Sequence, residues 1–171
     1  MQYCESTRLV LRQLQEKDLD DFLTYRSNPH VMKYQGFEVF NSTEALAFIR
    51  EQMRRTICPD ENWTQMGISL KTDIKLIGDC AIKISPNGTA EFGITVSPAY
   101  QSKGFAKEAL QTLLVYAKST WSIRSAIGIV DERNRASIQL LTSLAFHLDK
   151  ICHRVPFKGS TCTEFHYRLT L

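Results

Sequence analysis

The strongest constraint on the fold lies between residues 96 and 117, where the hydrophobic period changes abruptly. From Gly104 onward the apolar residues Ala106, Ala109, Leu110, Leu113, Leu114 and Ala117 fall 3, 1, 3, 1 and 3 apart. That spacing lays one stripe along a helix and would scatter over both faces of a strand. The preceding segments behave differently. Residues 66–70, 76–84 and 90–96 are short and apolar-rich, and Lys71-Thr72-Asp73 and Ser85-Pro86-Asn87-Gly88 separate them as turns, so they read as three strands. An amphipathic helix that directly follows a run of strands has to bury its stripe on their sheet.

The remaining elements extend this pattern. Arg8-Leu9-Val10-Leu11-Arg12 reads as a strand. Residues 16–26, with Leu19, Phe22 and Leu23 at i, i+3 and i+4, form a short helix that ends before Asn28-Pro29. Asn41 and Glu44 have capping-box spacing and start a second helix with Ala45, Phe48, Ile49 and Met53 on its apolar face. Residues 123–130 form a strand, 134–144 a helix with Ser137, Leu140, Leu141 and Leu144 on one face, and 146–155 and 162–171 a closing pair of strands. The order β α α β β β α β α β β predicts an α/β (α+β) fold, a single domain over residues 1–171 with a mixed sheet flanked by helices.

Composition removes several function classes. With 43% hydrophobic and 23% charged residues, 171 residues suffice for an unstapled core. Unbroken apolar runs reach five residues, too few for a transmembrane helix, so no membrane partner is expected. A net charge of +3 is too weak for a nucleic-acid binder. Cysteines at 4, 58, 80, 152 and 162 show no C-x-x-C pair, and His30, His147, His153 and His166 show no ligand spacing, so no metal is expected. The N-terminus lacks the basic and apolar regions of a signal peptide, and the expected location is cytoplasmic, with reduced thiols.

The chemistry concentrates where strand 90–96 turns into the striped helix. Gln101-x-x-Gly104-x-Ala106 puts small residues at the helix start. Small residues admit a ligand close to the backbone, and the first helical N–H groups lack partners at the positive end of the helix dipole. A pyrophosphate can sit on such amides, with Lys103 and Lys107 adding charge; a plain strand–turn–helix crossover fits the same residues. The loop is neither a P-loop nor a dinucleotide fingerprint.

This element resembles the acetyl-CoA-binding motif of the GNAT superfamily of N-acetyltransferases. The whole chain from residue 7 is similar to the branch that acetylates ribosomal-protein N-termini (RimJ/RimL type). The similarity is carried by Thr7-Arg8-Leu9-Val10-Leu11-Arg12, Leu76-Ile77-Gly78-Asp79, Ala90-Glu91-Phe92-Gly93-Ile94, Asn134-Arg135-Ala136-Ser137 and Leu144-Ala145-Phe146, in the family's order. The resemblance implies a mostly antiparallel sheet that splays open where the strand ending at Val96 parts from the one starting at Ile123, so that a pantetheine arm can pair with the exposed backbone. It implies acetyl-CoA as co-substrate, no metal, and a monomer or homodimer. It places the acetyl-CoA site on Ile94, Thr95, Val96, Gln101, Ser102, Lys103, Gly104, Phe105, Ala106, Lys107, Asn134 and Ser137.

The implied reaction is attack of a neutral amine on a thioester. Glu91 aligns with a glutamate that serves as general base in some members, and a solvent-facing strand glutamate or a fixed ion pair is the competing role. The family places a strand bulge near Thr95 and Val96, whose N–H groups then bind the oxyanion. Asn134 fits a helix N-cap, a pantetheine ligand or both, and Ser137 aligns with a residue near the thioester sulfur. Leu141 occupies the position of the tyrosine acid of many members, which excludes such an acid here, and Ala145 replaces a turn glycine.

The acceptor site is expected from the first helices, nearby loops and the hairpin at Phe157-Lys158-Gly159-Ser160. Tyr25, Tyr34 and Trp63 suit either that site or the core, and Asp18, Asp20 and Asp21 read as a solvated helix start. The leading expectation for the acceptor is a protein or peptide N-terminus. A polyamine, aminoglycoside or amino-acid amine is the alternative, and a polycation would call for several lining carboxylates from among Glu38, Glu44 and Asp60. A degenerate domain that binds acyl-CoA without turnover is the alternative from another class.

Overall fold

The computed structural model describes residues 1–59 and 62–171, so Asp60 lies outside the described residues. Strands β1 (Gln2–Glu5), β2 (Leu9–Gln13), β3 (Thr64–Leu70), β4 (Leu76–Ile84), β5 (Thr89–Val96), β6 (Ser125–Asp131), β7 (His147–Phe157) and β8 (Ser160–Thr170) form one sheet in the order β1-β2-β3-β4-β5-β6-β8-β7. Helices α1 (Leu19–Arg26), α2 (Pro29–Met32), α3 (Ser42–Arg54), α4 (Phe105–Trp121) and α5 (Arg135–Ser143) join and cover them. Neighbouring strands run antiparallel except β5 and β6, which are parallel because α4 crosses between them.

The sequence pattern missed β1 and α2. β1 is a four-residue edge strand with no fully buried residue, so it carries no alternation to read. α2 is a single turn started by Pro29 and capped by Asn28, whose side chain accepts from His30 N. Residues 16–26 divide into a 3-10 turn, Glu16–Asp18, and α1.

The stripe on α4 packs as its spacing requires. Ala109, Leu110, Leu113, Leu114 and Ala117 are buried in one cluster with Leu9, Leu11, Met66, Ile68, Ile77 and Phe92 of the strands. Each buried leucine contributes about 1.5–3 kcal/mol. Leu14, Phe22, Tyr25, Ala45 and Ile49 form a second cluster under α1 and α3. The capping box forms reciprocally: Glu44 N donates to Asn41 Oδ1 at 2.9 Å, and Asn41 N to Glu44 Oε2 at 3.0 Å. Met53 departs from its expected place on the apolar face of α3 and is 38% exposed, while neighbouring Gln52 is buried and accepts from Gln65 N at 2.8 Å.

Asp18 is likewise not solvated. It is buried, accepts from Arg12 Nη1 and Nη2 at 2.7 Å each, and accepts Gln15 N at 2.8 Å. Ala145, in place of the turn glycine, still adopts φ 63°, so the αL turn survives without glycine.

β5 and β6 pair only at their beginnings, from Thr89↔Ser125 to Glu91↔Ile127, and then diverge. Hydrogen-bond parity determines which groups this splay leaves bare. Ser97 N bonds Ile77 O, and Ser85 N bonds Thr89 O, so odd-numbered residues of β5 belong to the ladder with β4. The backbone groups of Ile94 and Val96 therefore point into the gap. On the far side, Leu171 N bonds Arg124 O and Glu132 N bonds Thr163 O, which leaves Ile129 and Asp131 facing the gap from β6.

Candidate active site

The splay joins two clefts on opposite sides of the sheet. On the α4 side, a cavity of about 390 Å³ is lined by Ile94, Val96, Gln101, Ser102, residues 104–107 and the Ser137–Leu140 face of α5. A narrow passage of about 100 Å³ follows, bounded by Ile94, Ile129, Asn134, Ser137 and Leu141. It shares Tyr34, Gly93 and Ile94 with a third cavity of about 460 Å³ on the α1–α3 side.

The loop between β5 and α4 has a defined shape. Gly104 is the N-cap of α4 at φ 80°, a conformation open to glycine at little cost. Glu108 N is the first to bond back, to Gly104 O at 3.1 Å, so the N–H groups of Phe105, Ala106 and Lys107 have no intrahelical acceptor. Gln101 Nε2 donates to Val96 O at 2.8 Å and folds the loop against the strand end. Ala106 begins the apolar stripe yet lines this cleft.

Of the residues the sequence assigned to the acetyl-CoA site, Ile94, Val96, Gln101, Ser102, Gly104, Phe105, Ala106, Lys107 and Ser137 line the α4-side cleft. Lys103 does not: its ammonium turns back to Ala99 O at 2.8 Å and lies over the Tyr100 ring. Asn134 lines the passage and caps α5, its Oδ1 accepting from Ser137 N at 3.3 Å. Thr95 lines the opposite cleft. The expected bulge is absent, because β4 and β5 stay in register from Ile84↔Ala90 to Gly78↔Val96. The Thr95 amide is consequently committed to Asp79, and Ile94 and Val96 supply the bare donors.

Leu141 packs on Gly128. A Cβ at 128 would lie 2.8 Å from both Leu141 methyls, so the glycine makes room for the leucine.

The far cleft is lined by Arg26, Tyr34, Phe37, Trp63, Gln65, Glu91, Phe157 and Glu164, among others. Tyr34, Trp63 and Phe157 thus fall in the cleft, whereas Tyr25 is fully buried and donates to Asp79 Oδ2 at 2.8 Å. Burial, reinforced by the Asp79 charge, pushes the Tyr25 phenol well above its usual pKa. Arg26 forks onto the same carboxylate, which also accepts from Gln65 Nε2. Arg26 and Gln65 reach the cleft floor with their charge and dipole anchored from below.

Glu91 sits opposite Lys83 in the β4–β5 register, with Lys83 Nζ 2.8 Å from Oε2 and 5.0 Å from the Trp63 ring centroid. Glu38 is 81% exposed beside Lys158 and Glu44 is spent on its cap, so neither lines the cleft. Glu164 does, and sequence reading missed it; it lies on the closing hairpin, four residues beyond the Phe157–Ser160 turn, with His166 Nε2 3.5 Å away. Lys158 of that hairpin donates to Met32 O at 2.9 Å and Phe37 O at 2.8 Å, tying the cleft's two walls together.

No group of histidine, cysteine and acidic residues that could hold a metal occurs among the described residues, and no described helix is long and apolar enough to cross a membrane. Residues 8–147 match the family model described as an acetyltransferase (GNAT) domain. An uncharacterized N-acetyltransferase, p20, of Bacillus licheniformis is 31% identical over 149 residues, covering 85% of this chain and 83% of that protein. Spermidine N(1)-acetyltransferase of Escherichia coli K12 is 26% identical over 144 residues, covering 81% and 73%. Among solved structures, a RimL ribosomal L7/L12 alpha-N-protein acetyltransferase in complex with coenzyme A superposes with a TM-score of 0.86 at 17% identity, covering 100% of this chain and 98% of that one.

Proposed function

The chain belongs to the GNAT acetyltransferase family, and from that premise we propose that it transfers an acetyl group from acetyl-CoA to a primary amine that enters from the opposite face of the sheet. The observation that carries this reading is the passage at the splay: it connects a cleft with bare helix-start amides to a cleft with a carboxylate, and bare strand amides stand between them.

A long ligand with an anionic head suits the first cleft. The amides of Phe105, Ala106 and Lys107, with the Lys107 side chain, take the pyrophosphate, and the backbone of Ile94 and Val96 pairs with the pantetheine arm. Acetyl-CoA supplies a thioester carbonyl open to attack by an amine. The bare amides of Ile94 and Val96 face the gap in which negative charge develops on that oxygen, and fixed dipoles need no reorganisation there. Glu91 takes the amine's proton, with Lys83 holding the carboxylate in place. Ser137 lines both the cleft and the passage and donates toward the departing thiolate, a modest contribution because a thiolate leaves readily.

The acceptor is a protein or peptide N-terminus in this reading. Among the described residues two carboxylates line this cleft; Glu91 is matched by Lys83, which leaves Glu164 to meet a substrate cation, and aromatic side chains make up much of the remaining wall. One amine beside an apolar side chain suits that lining better than a polycation does. A small diffusible amine is the second reading, favoured by the likeness to a spermidine acetyltransferase.

Thiol release from acetyl-CoA, followed with peptides of varied first residue, spermidine and amino-acid amides, tests this. Turnover fastest with peptides supports the N-terminal acceptor. Turnover fastest with spermidine selects the second reading. Saturable acetyl-CoA binding with no thiol released from any amine would leave a non-catalytic acyl-CoA-binding domain.

A further inference from the structure

The turn between β1 and β2 reaches across the fold to the first turn of α4, about a hundred residues away. Glu108 Oε1 accepts from Ser6 Oγ at 2.6 Å and from Arg8 N at 2.9 Å. Glu108 Oε2 accepts from Arg8 Nε at 2.7 Å and pairs with Arg8 Nη2 at 2.6 Å. Burial pushes the Glu108 carboxyl up, but the bonds from Ser6 and Arg8 together with the Arg8 charge outweigh it and hold the group below its ordinary pKa. The same guanidinium donates from Nη1 to Lys103 O at 3.2 Å and lies 4.3 Å from the centre of the Phe105 ring. A Cβ built on Gly104 would touch Arg8 Nη2 at 3.5 Å. One side chain thus braces the residue before the αL turn, the turn itself and the residue after it.

We infer that Arg8 is a positioning residue for the nucleotide end of acetyl-CoA: it locks the 103–105 turn in the conformation that aims the Phe105, Ala106 and Lys107 amides into the cleft. This rests on the reading that these amides hold the pyrophosphate. The guanidinium acts through its planar fork, which bonds Glu108 and Lys103 O in one geometry and stacks on Phe105; a lysine ammonium cannot do all three. Loosening the turn costs affinity for the pyrophosphate and leaves the reacting end untouched.

The test compares acetyl-CoA with S-acetylpantetheine, which carries the same thioester and no nucleotide. For Arg8→Ala the inference predicts an acetyl-CoA KM raised roughly five- to tenfold, a kcat within about twofold of wild type, and an unchanged kcat/KM for S-acetylpantetheine. Arg8→Lys stays as impaired as Arg8→Ala. Equal losses with both thioesters would overturn the inference, since Arg8 would then support the fold generally. Recovery in Arg8→Lys would also overturn it, by making Arg8 a simple positive charge toward phosphate, and so would an unchanged acetyl-CoA KM in Arg8→Ala. Equilibrium binding of CoA to the wild-type chain separates the levels: no binding removes the proposed function itself, whereas tight binding insensitive to Arg8→Ala removes only the role of Arg8.

Discussion

The mouth assigned to acetyl-CoA draws on one short stretch, Gln101, Ser102 and residues 104–107, together with the end of β5 and one face of α5. The mouth assigned to the acceptor takes Arg26 from α1, Tyr34 and Phe37 from the α2–α3 connection, Trp63 from just before β3, Glu91 from β5, and Phe157 and Glu164 from the closing hairpin. On the proposed function, the first recognises its ligand through backbone amides whose direction a local αL turn dictates. The second recognises through side chains that only the tertiary fold brings together. A contiguous backbone device tolerates few changes of sequence, whereas a mosaic of side chains can be altered one position at a time. On the proposed assignment, the acceptor mouth can be changed without disturbing the acetyl-CoA mouth.

The largest effect expected on this comparison comes from Asp79, the buried anchor beneath the acceptor mouth. Asp79→Ala leaves Arg26 charged and unpaired in the interior and lowers folding stability by about 3–5 kcal/mol. Denaturant unfolding measures that loss. A loss below about 1 kcal/mol would show that the network does not hold the acceptor floor. Next in size, Glu91→Gln lowers kcat roughly 10²- to 10³-fold with little change in acetyl-CoA KM, because it removes a proton acceptor on one side only. A kcat that stays near wild type across pH would leave Glu91 with the ion-pair role alone.

Gly104→Val acts on the other mouth. It forces a branched residue to φ 80° and raises acetyl-CoA KM roughly ten- to a hundredfold while S-acetylpantetheine turnover persists. Equal damage to both thioesters would erase the separation between the two halves of the cleft. The smallest effect belongs to Ser137→Ala, about threefold or less in kcat, since thiolate departure needs little help. A hundredfold loss would instead make Ser137 an obligatory acid and break the assignment of most of the work to Glu91 and the strand amides.

The sequence disclosed these regions unequally, for the same physical reason. The α4 stripe, the capping box of α3 and the Gly104 turn are local patterns, and each forms where its spacing indicates. β1 and α2 escaped because neither buries enough apolar surface to imprint a period. Lys103, a charge next to a phosphate-type loop, reads as a ligand from sequence, whereas in the structure its ammonium donates to Ala99 O. Asp18 reads as solvated and Tyr25 as either site or core, because the partners that place them, Arg12 and Asp79, come from other elements. Glu164 carried no local signal, because its place opposite Asp131 exists only in the β6–β8 register.

The most direct test of the account is amide exchange along β5, measured by nuclear magnetic resonance with and without saturating CoA. The account predicts that the N–H groups of Ile94 and Val96 exchange readily in the free protein and become protected on binding, together with those of residues 105–107. The Thr95 amide, already paired with Asp79, stays slow in both states. Unchanged exchange at Ile94 and Val96 in a protein that has bound CoA would contradict the placement of the ligand in the splay.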